Sequence, residues 1–349
     1  MQGALDGVHV LDLTWNLPGP YATSLLASMG ARVTKVEPPG GDPARAQPGL
    51  FERLHRGKES VVLDLKIGSD RARLHALIEE ADVLVEGFRP GKAAALGCDS
   101  ASARARNPRL VYCSISAWGQ EGPRRDLPAH DLNIQATTGL CHLGRDAAGR
   151  PQGLPVPVAD LSAASNAASS ICAALYARER TGEGVTLDIA LADGALSWAT
   201  LWHAGIDLAA TIDLPAAVQP LAERVLLRRL DRERLHALPH YGLFRCADGA
   251  WLAIGIVNER HFWRALCEEL AMPRMAALSL AARTILGPWL RQRIARRLKR
   301  RTRVHWLAQL KTAGIPVSAV LSPQEARRDP HLRARFWPRQ GSTDRDPVG

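Results

Sequence analysis

The feature that most constrains the fold is an alternation of short apolar runs with helix-length segments near the start of the chain. The run Val8–Leu13 is typical of a strand, Tyr21–Met29 of a helix and Ala31–Glu37 of a second strand. Strand, helix and strand within about thirty residues form a βαβ unit, which implies a parallel sheet with helices on its faces. The alternation continues with a strand at 60–65, a helix at 69–80, and strands at 82–86 and 109–115. We therefore predict an α/β fold, although the chain lacks the GxGxxG pattern of dinucleotide-binding domains.

Loops rich in glycine and proline follow three of these strands, at residues 14–20, 87–91 and 118–123. In open α/β sheets, the loops beyond the carboxyl ends of the strands build the ligand site. Glycine and proline also make ordinary turns. For any one loop, the turn explanation therefore stands beside the functional one.

Two groups that can perform chemistry stand near the ends of a loop in the middle of the chain. His130 precedes a run at 132–140 that could be a helix, and Asp160 precedes a small-residue run at 161–176 suited to a closely packed helix. The fold can bring such an imidazole and carboxylate face to face. Asp160 also has a purely structural interpretation, because a carboxylate at a helix start accepts hydrogen bonds from the backbone N–H groups there.

The second half of the chain predicts a smaller domain. After a strand at 185–189 and a helix at 192–204, we interpret residues 206–238 as a connector. Residues 241–246 and 251–256 flank the turn Ala247–Gly249 as an antiparallel hairpin. Helices are expected at about 259–270, 288–299 and 305–313, before a last strand at 316–321. The polar tail after Pro338 is typical of a loose terminus.

The formal net charge of +10 fits an anionic partner: nucleic acid, an acidic membrane face or a phosphate-bearing cofactor. Residues 291–303 carry seven arginines and one lysine but match no nucleic-acid-binding motif, so a solvated helix face is the better interpretation. Six cysteines without a CxxC pair indicate neither a zinc site nor a disulfide framework. With no leader and no bilayer-length apolar run, we expect a cytoplasmic protein without membrane or nucleic-acid partners or a metal.

A series of short motifs follows in order along nearly the whole chain. They are Val10–Thr14 with Pro18–Pro20, Gly30–Val33 with Lys35–Glu37, Arg56–Lys58 with Leu63–Lys66, Ala81–Glu86 with Phe88–Gly91, Asn107–Tyr112 with Gly119–Pro123, Ala177–Gly184, and Asp329–His331. Their order and spacing resemble the family III CoA-transferases, the group that also contains the α-methylacyl-CoA racemases.

The resemblance implies a Rossmann-like large domain made of residues 1–205 and 305–349, and a small domain made of residues 206–304. It also implies a homodimer of two interlocked chains. The substrate would be a coenzyme A thioester, with no permanently bound cofactor.

The resemblance also places coenzyme A among the loops that carry Leu17, Lys58, Phe88 and Arg89. This agrees with the chemistry of the ligand, because arginine and lysine can neutralise its phosphates. Pro38 departs from the resemblance, because relatives often have an arginine there. Part of the phosphate binding would then come from elsewhere.

The resemblance leaves two chemistries open. Asp160 falls where the transferases have an aspartate that attacks an acyl-CoA thioester and forms a mixed anhydride. His130 resembles the racemase histidine, which faces an aspartate across the α-carbon of the substrate, so that one removes the proton and the other returns it. A backbone N–H near Asp160 would stabilise the enolate oxygen. Glu259 would orient His130 if it matches the glutamate of the racemases; otherwise it is an ordinary first-turn helix residue.

We favour proton transfer at the α-carbon of a 2-methylacyl-CoA-like thioester over CoA transfer between an acyl-CoA and a carboxylic acid. His130 and Leu17 favour the racemase, whereas Gln135–Gly139 and Pro157–Leu161 resemble transferases. Leu235–His240 replaces a glycine-rich loop that covers the reacting carbon in relatives. This change and Pro38 motivate a third hypothesis, a CoA-binding protein that has lost catalysis.

Overall fold

The computed structural model describes residues 3–146, 148–205 and 238–336, and the chain divides into two compact units, Met1–Leu201 and Trp202–Gly349. The elements up to residue 205 are β1 (His9–Leu13), α1 (Pro18–Ser28), β2 (Arg32–Glu37), α2 (Pro48–His55), β3 (Glu59–Val62), α3 (Gly68–Glu80), β4 (Val83–Glu86), α4 (Lys92–Ala95), α5 (Ser100–Arg106), β5 (Val111–Ser116), α6 (Asp131–Thr137), α7 (Leu140–Leu143), α8 (Val158–Thr181), β6 (Thr186–Ala190) and α9 (Leu191–Gly205). The predicted connector, residues 206–238, lies outside the described residues apart from its last position.

The first unit contains a six-stranded parallel sheet in the order β3-β2-β1-β4-β5-β6. Val10 of β1 is paired with Val33 of β2 on one side and with Val83 of β4 on the other. The chain starts in the middle of the sheet, builds outward to β3 and then reverses direction at β1 and β4. This is the doubly wound arrangement, in which ligands bind beyond the carboxyl ends of the strands near the reversal. The predicted α/β fold is confirmed.

Alternation along the strands supplies two apolar layers. Val10 packs into a core with α1 and α8, while its neighbour Leu11 faces the opposite core with α3. The same alternation separates Val83 from Leu84 on β4. Successive side chains of a strand point to opposite faces, so the central strands β1 and β4 contribute apolar side chains to cores on both faces of the sheet.

The long helix α8 packs closely because its buried face is made of small residues, among them Ala159, Ala163, Ala164, Ala167 and Ala168. These short side chains let α8 approach α1 and the sheet closely. After α8 the chain turns back to the sheet through Gly184, where a Cβ would lie 1.9 Å from the carbonyl oxygen of Leu110. Only glycine fits this approach.

The second unit contains β7 (Tyr241–Arg245), β8 (Trp251–Gly255), α10 (Arg260–Glu269), α11 (Leu280–Ile285), α12 (Gly287–Leu298), α13 (Arg303–Thr312), β9 (Val317–Ala319), α14 (Pro323–Arg328) and α15 (Pro330–Phe336). The strands form an antiparallel sheet in the order β7-β8-β9, which confirms the predicted hairpin. Its core surrounds Trp263, whose indole N–H donates to the carbonyl of Met275 at 2.9 Å.

The division of the chain into residues 1–205 with 305–349 and residues 206–304 stays a prediction. Within it, the structure shows that β9 pairs with β8, so residues 317–319 belong to the sheet of the second unit. The homodimer also stays a prediction. In the part of the chain that the structure describes, the helices are too short or too polar to cross a bilayer.

Candidate active site

A cleft of about 910 Å³ opens at the carboxyl edge of the six-stranded sheet, within the first unit. It is bordered by the segments that follow β1 to β5 and by the first turn of α8. The charged and aromatic residues that line it are Trp15, Glu37, Asp64, Lys66, Phe88, Arg89, Lys92, Arg125, Asp126, His130 and Asp160. The volume is that of an ordinary small-molecule site. Both His130 and Asp160 therefore line the same cleft, while their catalytic roles stay a prediction.

Asp160 lies in the first turn of α8, where its carboxyl group is partly buried. Burial, with a smaller contribution from the negative charge of Asp131, raises the pKa of Asp160 from 3.8 to about 7. A carboxyl group with this pKa exists in both protonation states near neutral pH. Such a group suits acid–base work, and its ionised form is a nucleophile.

Asp131 ties the histidine segment to the aspartate helix. Its Oδ1 atom accepts the backbone N–H groups of Ala159 at 2.7 Å and Asp160 at 3.1 Å, so the carboxylate caps the start of α8. Its Oδ2 atom accepts a hydrogen bond from the side chain of Gln135. Asp131 therefore caps α8, a role that the sequence also allowed for Asp160. Asp160 lines the cleft instead. Sequence reasoning missed this residue, although it stands directly after His130.

His130 is the residue before α6, in an extended backbone conformation, and its side chain is exposed. Its backbone N–H donates to Oδ1 of Asn133 at 3.0 Å, which fixes the start of the helix. Its side chain and that of Asn133 form a capping box at the start of α6. His130 also lines the cleft, so its ring stands where a ligand would bind.

The backbone N–H groups of residues 158–161, at the start of α8, already donate to other acceptors and are not available to the oxygen of an enolate. The N–H groups of Ala159 and Asp160 donate to Asp131, that of Val158 donates to the carbonyl of Val156, and that of Leu161 donates to the carbonyl of Pro157. The expectation of a backbone N–H near Asp160 for this purpose is wrong for this geometry. The reason is that Asp131 and the preceding turn already use these donors.

The loop after β4 brings Phe88 and Arg89 to the cleft, as predicted. The buried carboxyl group of Glu86 accepts the backbone N–H of Phe88 at 2.7 Å and thereby shapes the turn. The Phe88 ring meets the edge of Trp15 with 6.2 Å between ring centroids. Aromatic and cationic groups thus stand together on this side of the cleft.

Leu17 and Lys58 are placed differently from the other two predicted CoA-binding residues. Leu17 precedes α1 between the cleft-lining Asn16 and Pro18, but its own side chain is not part of the lining. The Lys58 side chain is 1% exposed, and its ammonium donates to Oδ2 of Asp12 at 3.0 Å and to the carbonyl of Pro20 at 2.9 Å. This surrounding fits a structural role. The CoA-binding role of both residues stays a prediction.

Glu259 lies in the second unit, directly before α10. Its Oε2 atom accepts the backbone N–H of Val257 at 2.8 Å. Burial alone would raise the pKa of Glu259, but hydrogen bonds from the backbone of residues 257–259 hold it below the ordinary value. The carboxylate thus orders the loop before α10 and forms no cap hydrogen bond with the helix itself. Its predicted role beside His130 stays a prediction.

Cationic residues that sequence reasoning left unassigned also line the cleft. They are Lys66, Lys92 and Arg125. Lys66 follows β3 at one edge of the sheet, whereas Arg89 and Lys92 follow β4, which lies between β1 and β5. The spacing of a strand and its following loop could have indicated them. Pro38, where an arginine was expected, is also in the lining.

An α/β fold with a carboxyl-edge cleft, a carboxyl group of raised pKa and a nearby imidazole defines the class of the site: a centre for acid–base or acyl chemistry. The profile of CoA-transferase family III matches residues 5–345. The sequence is 34% identical to the acetyl-CoA:oxalate CoA-transferase of Acetobacter aceti, over 96% of this chain and 85% of that one. It is 30% identical to the α-methylacyl-CoA racemase of Homo sapiens, over 95% of this chain and 81% of that one.

A solved structure agrees with the sequence comparisons. The CAIB/BAIF family protein from Brucella suis superposes with a TM-score of 0.79 at 28% identity, over 96% of this chain and 89% of that one. The chain belongs to CoA-transferase family III and is an enzyme of that family. The resemblance drawn from the sequence motifs is thereby confirmed.

Proposed function

We propose that this protein is an acyl-CoA racemase or epimerase that exchanges the α-proton of a 2-methylacyl-CoA-like thioester. The observation that carries the proposal is the presence of His130 and Asp160 in one cleft, with Asp131 linking the two segments. Inversion at a carbon requires two acid–base groups, one that removes the proton and one that supplies another proton from the opposite side.

The two groups suit this task chemically. The pKa of Asp160, raised by burial to about 7, lets it take up or release a proton near neutral pH. The imidazole of histidine can both accept and donate a proton through its ring nitrogens. In one direction, the Asp160 carboxylate removes the α-proton while the His130 imidazolium donates a proton to the other face. In the reverse direction the roles exchange.

The cleft also has the features that a coenzyme A thioester needs. Lys66, Arg89 and Lys92 supply positive charge for its phosphates, and Trp15 with Phe88 supplies an aromatic wall. These residues follow β1, β3 and β4, whereas His130 follows β5 and Asp160 begins α8. We infer that the nucleotide lies among the loops that follow β1, β3 and β4, and that the acyl group reaches the acid–base pair beyond β5. A homodimer in the cytoplasm remains part of the proposal.

A second candidate is CoA transfer between an acyl-CoA and a carboxylic acid. The similarity to the acetyl-CoA:oxalate CoA-transferase of Acetobacter aceti favours it. In this chemistry the Asp160 carboxylate attacks the thioester carbonyl, the C–S bond breaks, and CoA leaves as a thiolate. The CoA thiolate then attacks the aspartyl carbonyl of the anhydride, which releases the donor acid as a carboxylate and leaves CoA on Asp160 as a thioester. The acceptor carboxylate attacks this thioester and expels the thiolate, and the thiolate attacks the acceptor carbonyl of the new anhydride, which forms the product acyl-CoA and regenerates Asp160. His130 has no required role in these steps.

Incubation with a branched acyl-CoA in D₂O separates the candidates. A racemase incorporates deuterium at the α-carbon without a second acid, whereas a transferase requires an acceptor carboxylate and gives an enzyme acyl group that hydroxylamine traps. We expect the unaltered protein to exchange the α-proton without an acceptor. His130→Ala should lose racemisation, whereas any CoA transfer in this variant should only become slower.

Equal loss of both activities in His130→Ala would refute the role given to His130. A protein that shows neither activity, yet melts at a higher temperature with CoA, would be the binding protein without catalysis. A panel of acyl-CoAs in the same exchange assay would identify the acyl group.

A further inference from the structure

A group of buried charged side chains lies beneath the loop that follows β1, and the proposed chemistry does not use it. This buried charge network consists of Asp12, Lys35, Asp42 and Lys58, each of which is at most 1% exposed. The ammonium of Lys58 is 3.0 Å from Oδ2 of Asp12. That of Lys35 is 3.0 Å from Oδ2 of Asp42 and 3.9 Å from Oδ1 of Asp12.

The network holds the backbone at both sides of one residue, Trp15. The N–H of Thr14 donates to Oδ1 of Asp12 at 3.0 Å, and the carbonyl of Thr14 accepts a hydrogen bond from the ammonium of Lys35. The N–H of Asn16 donates to Oδ1 of Asp42 at 3.1 Å. Asn16 has a φ of +63°, which is uncommon for a residue other than glycine and depends on support from its surroundings.

Trp15 lies between the two residues whose backbone the network holds. Its side chain lines the cleft, is 41% exposed and meets Phe88 edge-on. A large exposed aromatic surface at the rim of a cleft is a means of contacting an apolar or aromatic part of a ligand. The backbone contacts fix where that surface stands.

We propose that the buried charge network positions Trp15 for contact with coenzyme A. It does so through its hydrogen bonds to the backbone of Thr14 and Asn16, and Asp42 is the positioning residue for Asn16. This inference rests on the proposed function only in that the cleft binds coenzyme A. Replacement of buried ion pairs by well-packed apolar residues is often neutral or stabilising, so the burial of these four charges is weak evidence for a purely stabilising role. Their hydrogen bonds to a cleft-lining loop give them a conformational role.

The test is the dissociation constant for CoA, measured by calorimetry in a double-mutant cycle. Asp42→Ala removes the acceptor of the Asn16 N–H and is expected to raise the Kd for CoA about tenfold. Asp42→Asn keeps an oxygen acceptor at the same place and should recover most of the affinity. Because Asp42 acts through Trp15, the double variant Trp15→Ala, Asp42→Ala should bind no more weakly than Trp15→Ala alone.

Glu59→Gln is the matched control. Glu59 forms an exposed ion pair with Arg32 at 3.7 Å, so this substitution should leave CoA binding unchanged.

Two results would overturn the inference. One is a double variant whose increase in Kd equals the product of the increases in Trp15→Ala and Asp42→Ala, and the other is an unchanged Kd in a folded Asp42→Ala. If the unaltered protein fails to bind CoA, the proposed function falls, and amide hydrogen exchange decides the inference by itself. The N–H of Ala44 also donates to Oδ1 of Asp42 at 2.8 Å, so its exchange should rise in Asp42→Ala in any case. Faster exchange that otherwise appears only at residues 14–16 supports positioning, whereas a uniform change across β5 as well refutes it.

Discussion

Asp160→Asn is expected to abolish activity and at the same time to stabilise the protein above neutral pH. The reason is that the native structure raises the pKa of the Asp160 carboxyl group from 3.8 to about 7. Between these two pH values, the folded protein keeps a proton on Asp160 that the unfolded chain has lost. Since the folded state binds more protons there, the free energy of unfolding falls as pH rises through this window and is constant above it.

The size of the effect follows from the pKa. At about 1.4 kcal/mol per pKa unit, the full change corresponds to about 4 kcal/mol. Asp160 keeps some contact with the cleft and its solvent, so about 2 to 4 kcal/mol is expected for the gain in Asp160→Asn at pH 8. For a unit of this size, such a gain raises the Tm by about 5 to 10 °C. Near pH 4 the two proteins should differ little, because the carboxyl group is protonated when folded.

The assay is thermal unfolding at pH 4.5, 6, 7 and 8. Asp99→Asn is the matched control: the carboxylate of Asp99 accepts hydrogen bonds from Ser102, which lower its pKa, so its removal should bring no gain at high pH. An Asp160→Asn variant with the same Tm difference at every pH would refute the reasoning. So would a variant that melts below the unaltered protein at pH 8.

Three further predictions concern the support of the site and the core. Asp131→Asn removes the charge that helps to raise the pKa of Asp160, so the acid limb of the kcat/KM profile against pH should move to lower pH. Gly19→Ala should destabilise the protein in urea and weaken CoA binding, because a Cβ would lie 2.2 Å from Cβ of Thr14; Gly49→Ala, with no atom within 4 Å, should do neither. Leu74→Ala should lower the free energy of unfolding in urea by about 2 to 5 kcal/mol, since Leu74 is fully buried; a loss below about 1 kcal/mol would contradict the described core.

The strands and helices could be predicted from the sequence because their signals are local. The apolar runs at β1, β2 and β4 and the small-residue run of α8 give the element type directly, and the alternation of strand and helix implies the parallel sheet. The reversal between β1 and β4 then places the ligand site at the carboxyl edge. His130, Asp160, Phe88 and Arg89 all reach the cleft there.

Other parts of the site depend on contacts between distant residues, which no local pattern shows. The sequence motif predicts that Lys58 binds a phosphate of coenzyme A. In the fold, however, its buried ammonium donates a hydrogen bond to Asp12, which lies 46 positions away in the sequence. Asp131 caps a helix that begins 27 residues later, so its hydrogen bonds replace the capping role that was open to Asp160. The donors that Asp131 occupies are the ones expected to stabilise an enolate.

The most direct test of the central claim, that His130 and Asp160 serve the same carbon from opposite sides, is deuterium incorporation from D₂O into each enantiomer of a branched acyl-CoA separately. The unaltered protein should label both enantiomers. His130→Ala and Asp160→Asn should each fail with one enantiomer while retaining slow exchange with the other, and the two variants should fail with opposite enantiomers. Parallel loss, or parallel retention, with both enantiomers in both variants would contradict the claim.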